Sequence, residues 1–302
     1  MYLRRLGTVL SKTVNAWIDD RAQSMGAALS YYTVFSIAPL LLIAISVAGL
    51  VFGQDAAQGA VVDQLQGLIG QSGAQAIQDL LKNVSKPSQG IIATVTGVVV
   101  LVIGATSVFA ELQDDLNRIW EAPAPQKTSG WWAWLRTRLL SMGMIFAIGF
   151  LLLVSLAASA AFDALASWST SSLGGWEPLV HVLNFILSFV LTTALFALIY
   201  RFMPQATIEW RDVGIGAAVT AVLFSIGKFL IGLYIGKSAL ASGFGAAGSL
   251  AVLLAWVYYS AQIFLFGAEF TWAYAHAFGS RQDKAPDPTP VDMAGRPAVR
   301  FR

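Results

Sequence analysis

The sequence predicts an all-α, polytopic membrane helical bundle with six transmembrane helices. An amphipathic interfacial helix precedes the first span and an outward-facing helical hairpin follows it. Three observations carry this prediction. The chain is 56% hydrophobic, with a mean hydropathy of +0.65, well above the range of soluble domains. Six apolar runs each exceed the twenty or so residues that cross a hydrocarbon core. The basic residues, finally, fall almost entirely between alternate pairs of those runs, as orientation in a membrane requires.

Residues 1–22 form the amphipathic element. Leu3, Leu6, Leu10, Val14, Trp17 and Ile18 recur at helical spacing, with Arg4, Arg5, Lys12 and Asn15 between them. Such a helix either lies in the interface plane or packs on the protein as an ordinary helix; the pattern allows both. Residues 23–279 form the membrane domain, with spans expected at 26–52, 90–112, 136–162, 179–203, 212–236 and 248–276. At about 1.5 Å per residue these reach roughly 35–45 Å, so tilt or protrusion is expected. The first run begins near Gly26 and is too long for the core of a signal peptide, so it reads as an uncleaved span. Pro39 lies within it as a candidate kink, because proline removes one helical hydrogen bond.

Residues 54–88 carry two apolar sets at helical spacing, from Val61 to Ile69 and from Ile77 to Val84, which predicts the outer hairpin. In the fifth span Gly232 and Gly236 form a GxxxG step that permits close helix approach. The small-residue stretch Lys237–Gly248 reads as a tight turn or as an irregular gate. Residues 280–302 hold four prolines among charges and read as a disordered tail.

Fifteen of the nineteen Lys and Arg fall on the side that carries both termini, which makes that side cytoplasmic by the positive-inside rule. Trp120, Trp131, Trp132 and Trp134 crowd the same edge as an aromatic belt, while Trp168 and Trp176 mark the other. The net charge of +2 is too small to point to nucleic acid. The absence of cysteine excludes thiol catalysis and thiolate metal sites, and two histidines far apart in sequence argue against a His-based hydrolase. No cofactor and no bound metal are expected. The GKS at Gly236 has three residues, not four, between its glycines and follows a membrane helix, so it is no phosphate loop.

Function is therefore sought at the few charges inside apolar helices, which are expensive there and commonly functional. Lys228, deep in the fifth span, reads either as a cation lining an aqueous path or as a lysine that snorkels or pairs internally. Glu269 lies near the cytoplasmic end of the sixth span. The two differ in depth by roughly 15 Å or more, so Arg118 or Arg201 is the expected partner of Glu269, and Asp55 or Asp163 that of Lys228. Glu111, Asp114 and Asp115 close the second span as an acidic group fit to hold a cation, relay protons or make salt bridges.

Five blocks support a resemblance: AALSYYTVFSIAPLL at Ala27–Leu41, ELQDDLNRIW at Glu111–Trp120, YRFMPQ at Tyr200–Gln205, FSIGKFLIGLYIG at Phe224–Gly236, and GAAGSLAVLLAWVYYSAQIFLFGAEFT at Gly245–Thr271. In these the chain resembles the YihY/BrkB family of bacterial inner-membrane proteins, over about residues 5–280. The resemblance implies six spans and no agreed activity. It also brings a historical ribonuclease BN label regarded as a misassignment, a virulence-factor branch linked to serum resistance, and branches linked to envelope lipid export. It supplies no established catalytic residue, though it places Lys228 and Glu269 within family blocks. Taken together, the reading is a non-enzymatic transporter or flippase-like exporter of an amphiphilic or lipid-linked substrate. The alternative is a structural or scaffolding protein of the cell envelope. Membrane lipids are the expected partners. Nucleic acid is not among them, and a homo-oligomer is allowed by the small residues of spans two and five.

Overall fold

The computed structural model describes residues 2–59, 61–63, 66, 74, 77–78, 107–122, 177–237 and 248–282, and these are helical wherever they are regular. In chain order they form α1 (Tyr2–Asp19), α2 (Ala22–Phe52), α3 (107–119), α4 (Glu177–Phe202), α5 (Trp210–Lys237) and α6 (Gly248–Ala277). The expected spans at 136–162 and most of 90–112 lie outside the described residues. So do most of the outer hairpin, the 238–247 turn, the tail beyond 282 and the side chain of Pro39. Among the described residues three helices, within α4, α5 and α6, are long and apolar enough to cross a membrane.

These helices are apolar all round, which is what a lipid solvent selects. Val182, Phe185, Ile186 and Val190 on α4, and Val222, Ile226, Phe229 and Leu230 on α5, lie exposed. α2 runs unbroken through Pro39: a proline removes one backbone bond, and the bonds of the neighbouring turns carry the helix past it. Two tight reversals use left-handed residues. Arg21 (φ 57°) turns the chain from α1 into α2, and Glu121 (φ 48°) closes α3. At the second, Ala122 N–H reaches Asn117 O at 2.8 Å and Glu121 N–H reaches Arg118 O at 3.1 Å, a Schellman arrangement that satisfies the last carbonyls.

α6 is the axis of the described bundle, packing against α1, α2 and α5, while α4 packs on α5. The α5–α6 seam is built from glycine and threonine. A Cβ on Gly216 would lie 1.8 Å from Thr271 Oγ1, and one on Gly267 would lie 2.0 Å from Thr220 Oγ1. Each threonine also bonds back along its own helix, Thr220 to Gly216 O at 2.8 Å and Thr271 to Gly267 O at 2.7 Å. Tyr200 of α4 closes the seam by donating to Phe264 O at 2.7 Å, with Thr220 Oγ1 3.1 Å away. At Gly232 of the GxxxG step, which permits close approach, a Cβ would meet nothing within 4 Å among the described residues. A glycine pattern permits close approach without choosing the face that makes it.

Of the two expectations for α1, packing on the protein is the one its buried face follows. Val9 is buried with Phe270 and Ala273 of α6, and Thr13 is buried beside it. A second ridge of Leu10, Val14 and Ile18 stays exposed, the surface an interfacial helix turns to acyl chains.

Candidate functional site

The charges of interest gather at the end of the bundle where α1 meets α2. α3 is tied to this end by Gln113 Nε2 donating to Met203 O at 3.2 Å, and by Gln205 N–H donating to Asn117 Oδ1 at 2.7 Å. The carboxyl end of α6 is tied to it through Asp212, whose Oδ2 accepts from Ser280 N–H at 2.9 Å and from Ser280 Oγ at 2.7 Å. Arg21, Arg118, Arg201, Arg211 and Arg281, which the sequence places on one side, thus flank one end. Lys237 sits at the far end of α5, roughly 40 Å along the helix at 1.5 Å per residue.

Glu269 occupies the centre of this end. It is 1% exposed, and its carboxyl meets that of Asp20 in a carboxyl–carboxyl contact, with no other hydrogen-bonding neighbour among the described residues. The charges acting on it are Asp20, Arg118 and Asp19. Arg118 Nε stands 3.6 Å from Asp20 Oδ1, and the same guanidinium acts on Glu269 only through its charge. Burial raises the Asp20 carboxyl above its usual range, and Arg118 offsets this in part. The Arg21 turn delivers Asp20 to this position. Of the two partners expected for Glu269, Arg118 lies within range of its charge but pairs with Asp20. Arg201 is engaged elsewhere, since it donates to Ile208 O and lies over the Trp210 ring, 5.8 Å from its centroid.

Five further buried atoms at this end and nearby lack hydrogen-bond partners among the described residues. They are Trp17 Nε1, Trp120 Nε1, Asp115 Oδ2, Asp212 Oδ1 and Gln262 Oε1. Buried polar atoms are nearly always paired, so this concentration sets the region apart. Gln262 Nε2 donates to Ala22 O at 3.2 Å and fills the space over Gly26, locking α2 to α6. An apolar groove of about 320 Å³ ends on the same two residues, Trp17 and Gln262, between Ile226, Gly227 and Leu230 of α5 and Tyr259, Ile263 and Phe266 of α6.

The acidic group of α3 is split. Asp115 is buried, Asp114 is exposed and Glu111 is half-buried, and among the described residues no three such groups converge to hold a metal ion. Burial, then the charges of Glu111 and Asp114, push Asp115 up to about 7, with Arg118 opposing. Lys228 is exposed on α5 and is not joined to Glu269, as their different depths implied. Sequence patterns give no site role to Asp20, Asp212 or Gln262, and place Trp17 only in the apolar spacing of α1. The acidic pair Asp19–Asp20 ahead of an apolar run was the available signal for the first.

The family model for virulence factor BrkB matches residues 13–292. Relatives include UPF0761 membrane proteins. That of Alcanivorax borkumensis is 28% identical over 279 residues, covering 90% of this chain and 61% of the relative. That of Pseudomonas aeruginosa strain LESB58 is 29% identical over 264 residues, covering 83% and 59%, and that of Tolumonas auensis is 28% identical over 215 residues, covering 68% and 65%. The chain thus spans about three fifths of the length of the curated relatives it matches. No solved structure matches it. With helices of membrane-crossing length and this match over most of its length, the chain is an integral membrane protein that belongs to the BrkB virulence-factor family.

Proposed function

We propose that this protein is an inner-membrane transporter or flippase-like exporter of an amphiphilic or lipid-linked substrate, with both termini cytoplasmic. The observation that carries the reading is the apolar groove between α5 and α6, lined by Trp17, Ile226, Leu230, Ile263 and Phe266, on the same helix that buries Glu269. Such walls suit the apolar chain of an amphiphile. The Glu269–Asp20–Arg118 group beside it has two carboxyls and one guanidinium, so its net charge changes with a single proton, which suits a coupling element. Lys228, exposed on α5, faces the surroundings of the described bundle and in this reading meets headgroups by snorkelling.

The test is complementation of a deletion strain, followed by lipid flipping in proteoliposomes. Glu269→Gln and Leu230→Trp, the second filling a groove at a half-exposed site, should each abolish function at normal membrane abundance. Full complementation by both would sink the proposal. The scaffold reading also has an observation in its favour: the α5–α6 seam is tightly closed by glycine and threonine, and Asp212–Ser280 is a local clamp. It predicts that activity follows protein abundance alone.

A further inference from the structure

A second feature of the same end is a cleft of about 490 Å³ lined by Arg201, Thr207, Glu209, Trp210, Arg211 and Arg281, with Ile208 and Ser280 behind. Two of its three guanidinium groups are held in place by groups that carry no countercharge. Arg201 donates to Ile208 O and lies over the Trp210 ring. Arg281 donates to Thr207 O at 3.2 Å and lies 5.2 Å over the Trp120 ring. A guanidinium has five N–H donors, so most donors on both remain for a ligand. Among the described residues none of the three arginines forms an ion pair. The acidic groups at hand are Glu209 on the rim, Asp212, whose Oδ2 accepts from Ser280, and Glu121 next to the Trp120 on which Arg281 lies.

The cleft also opens at the start of α5, where the helix dipole favours an anion, with Asp212 in the first turn and its N–H given to Glu209 O at 3.1 Å. Three arginines around a helix start match the planar, bidentate recognition of phosphate oxygens. Beside them Trp210 and Phe202, 54% and 58% exposed, meet edge to face at 5.8 Å. Exposed aromatic rings where apolar helices end mark the headgroup level of a membrane.

We infer that this cleft binds a phosphate group, at the depth where the phosphates of lipid headgroups lie. The inference does not depend on transport: a scaffold would hold such a headgroup equally well. Arg201 and Arg281 supply fixed donors, Arg211 supplies a mobile charge, and Glu209 limits the site to one anionic group.

The experiment uses the full-length protein in detergent. Native mass spectrometry counts retained phosphatidylglycerol, and thermal shift follows titration with phosphatidylglycerol micelles or with inorganic phosphate. Arg201→Gln and Arg281→Gln should each weaken binding about tenfold, the effect of one charge-assisted hydrogen bond. Arg211→Gln should weaken it less, and Glu209→Gln should strengthen it. Arg211 makes no hydrogen bond or ion pair among the described residues, so its variant keeps the test valid if the other two loosen the 203–209 loop. Lipid binding that falls in this order supports a headgroup site, and binding of inorganic phosphate alone supports the same site with a soluble ligand. If neither probe binds, or if all variants bind as the wild type does, the inference is overturned.

Discussion

Thr271 and Glu269 are two residues apart on α6 and equally buried, yet they meet opposite conditions. Thr271 gives its hydroxyl to Gly267 O and presses against Gly216 of the neighbouring helix. Glu269 meets only the Asp20 carboxyl among the described residues, another group without a fixed donor, and looks across at Arg118. A hydroxyl can bond back to its own helix and so be buried without penalty. A carboxyl in a helix interior has no such recourse, since the backbone donors around it are already used. The seam is therefore where the bundle gains its close packing, and the Glu269 cluster is where it gives stability up. Polar residues inside apolar helices thus divide by whether their own helix can satisfy them.

The largest effect expected from this contrast is at the seam. Gly267→Val places a branched side chain where a Cβ alone would lie 2.0 Å from Thr220 Oγ1 and 2.7 Å from the Tyr200 hydroxyl. It should force α5 and α6 apart at a cost of about 3 kcal/mol, read as a lost or strongly lowered unfolding temperature in detergent. At the cluster the sign reverses. Glu269→Leu should leave stability unchanged or raise it by about 1–3 kcal/mol, because an apolar group replaces a buried carboxyl that no fixed donor satisfies. A large loss of stability would show instead that Glu269 is a structural clamp.

The next effect is pH-dependent. Asp115 is held at about 7 in the fold against 3.8 without it. A folded value raised above the unfolded one means that the stability it contributes is present at low pH and lost as pH rises to about 7. Asp115→Asn should flatten that fall, making the variant the more stable of the two at pH 8, on the order of 1 kcal/mol after solvent screening, with the advantage vanishing toward pH 4. Thermal unfolding across pH reads this directly. The smallest effect belongs to Gly232→Ala, where open space and helical backbone predict a gain of about 0.5–1 kcal/mol. A loss there would show the GxxxG step to be a packing surface.

Much of the helical layout is legible in the residues. The starts and ends of α2, α4, α5 and α6 fall within about four residues of the expected spans, since an apolar run long enough for a bilayer has few other structures open to it. Glu269 stands out for the same reason, as a carboxyl in such a run. Its surroundings are not legible. Asp20 reaches it only because Arg21 adopts a left-handed turn, and α3 brings Arg118 from a hundred residues further along the chain. The glycines that matter, Gly216 and Gly267, each pair with a threonine four positions on, in place of the second glycine that a motif search seeks.

By itself, the order of residues determined the class of protein, its helices and which charges are costly. Composition and periodicity act locally, and the solvent reads them segment by segment. Only the tertiary structure decided which glycines face a neighbour, which carboxyls meet beside one guanidinium, and that Arg201, Arg211 and Arg281 line one cleft. Those outcomes depend on rotation and depth between helices, set by packing among many side chains at once, and no spacing along a single helix encodes them.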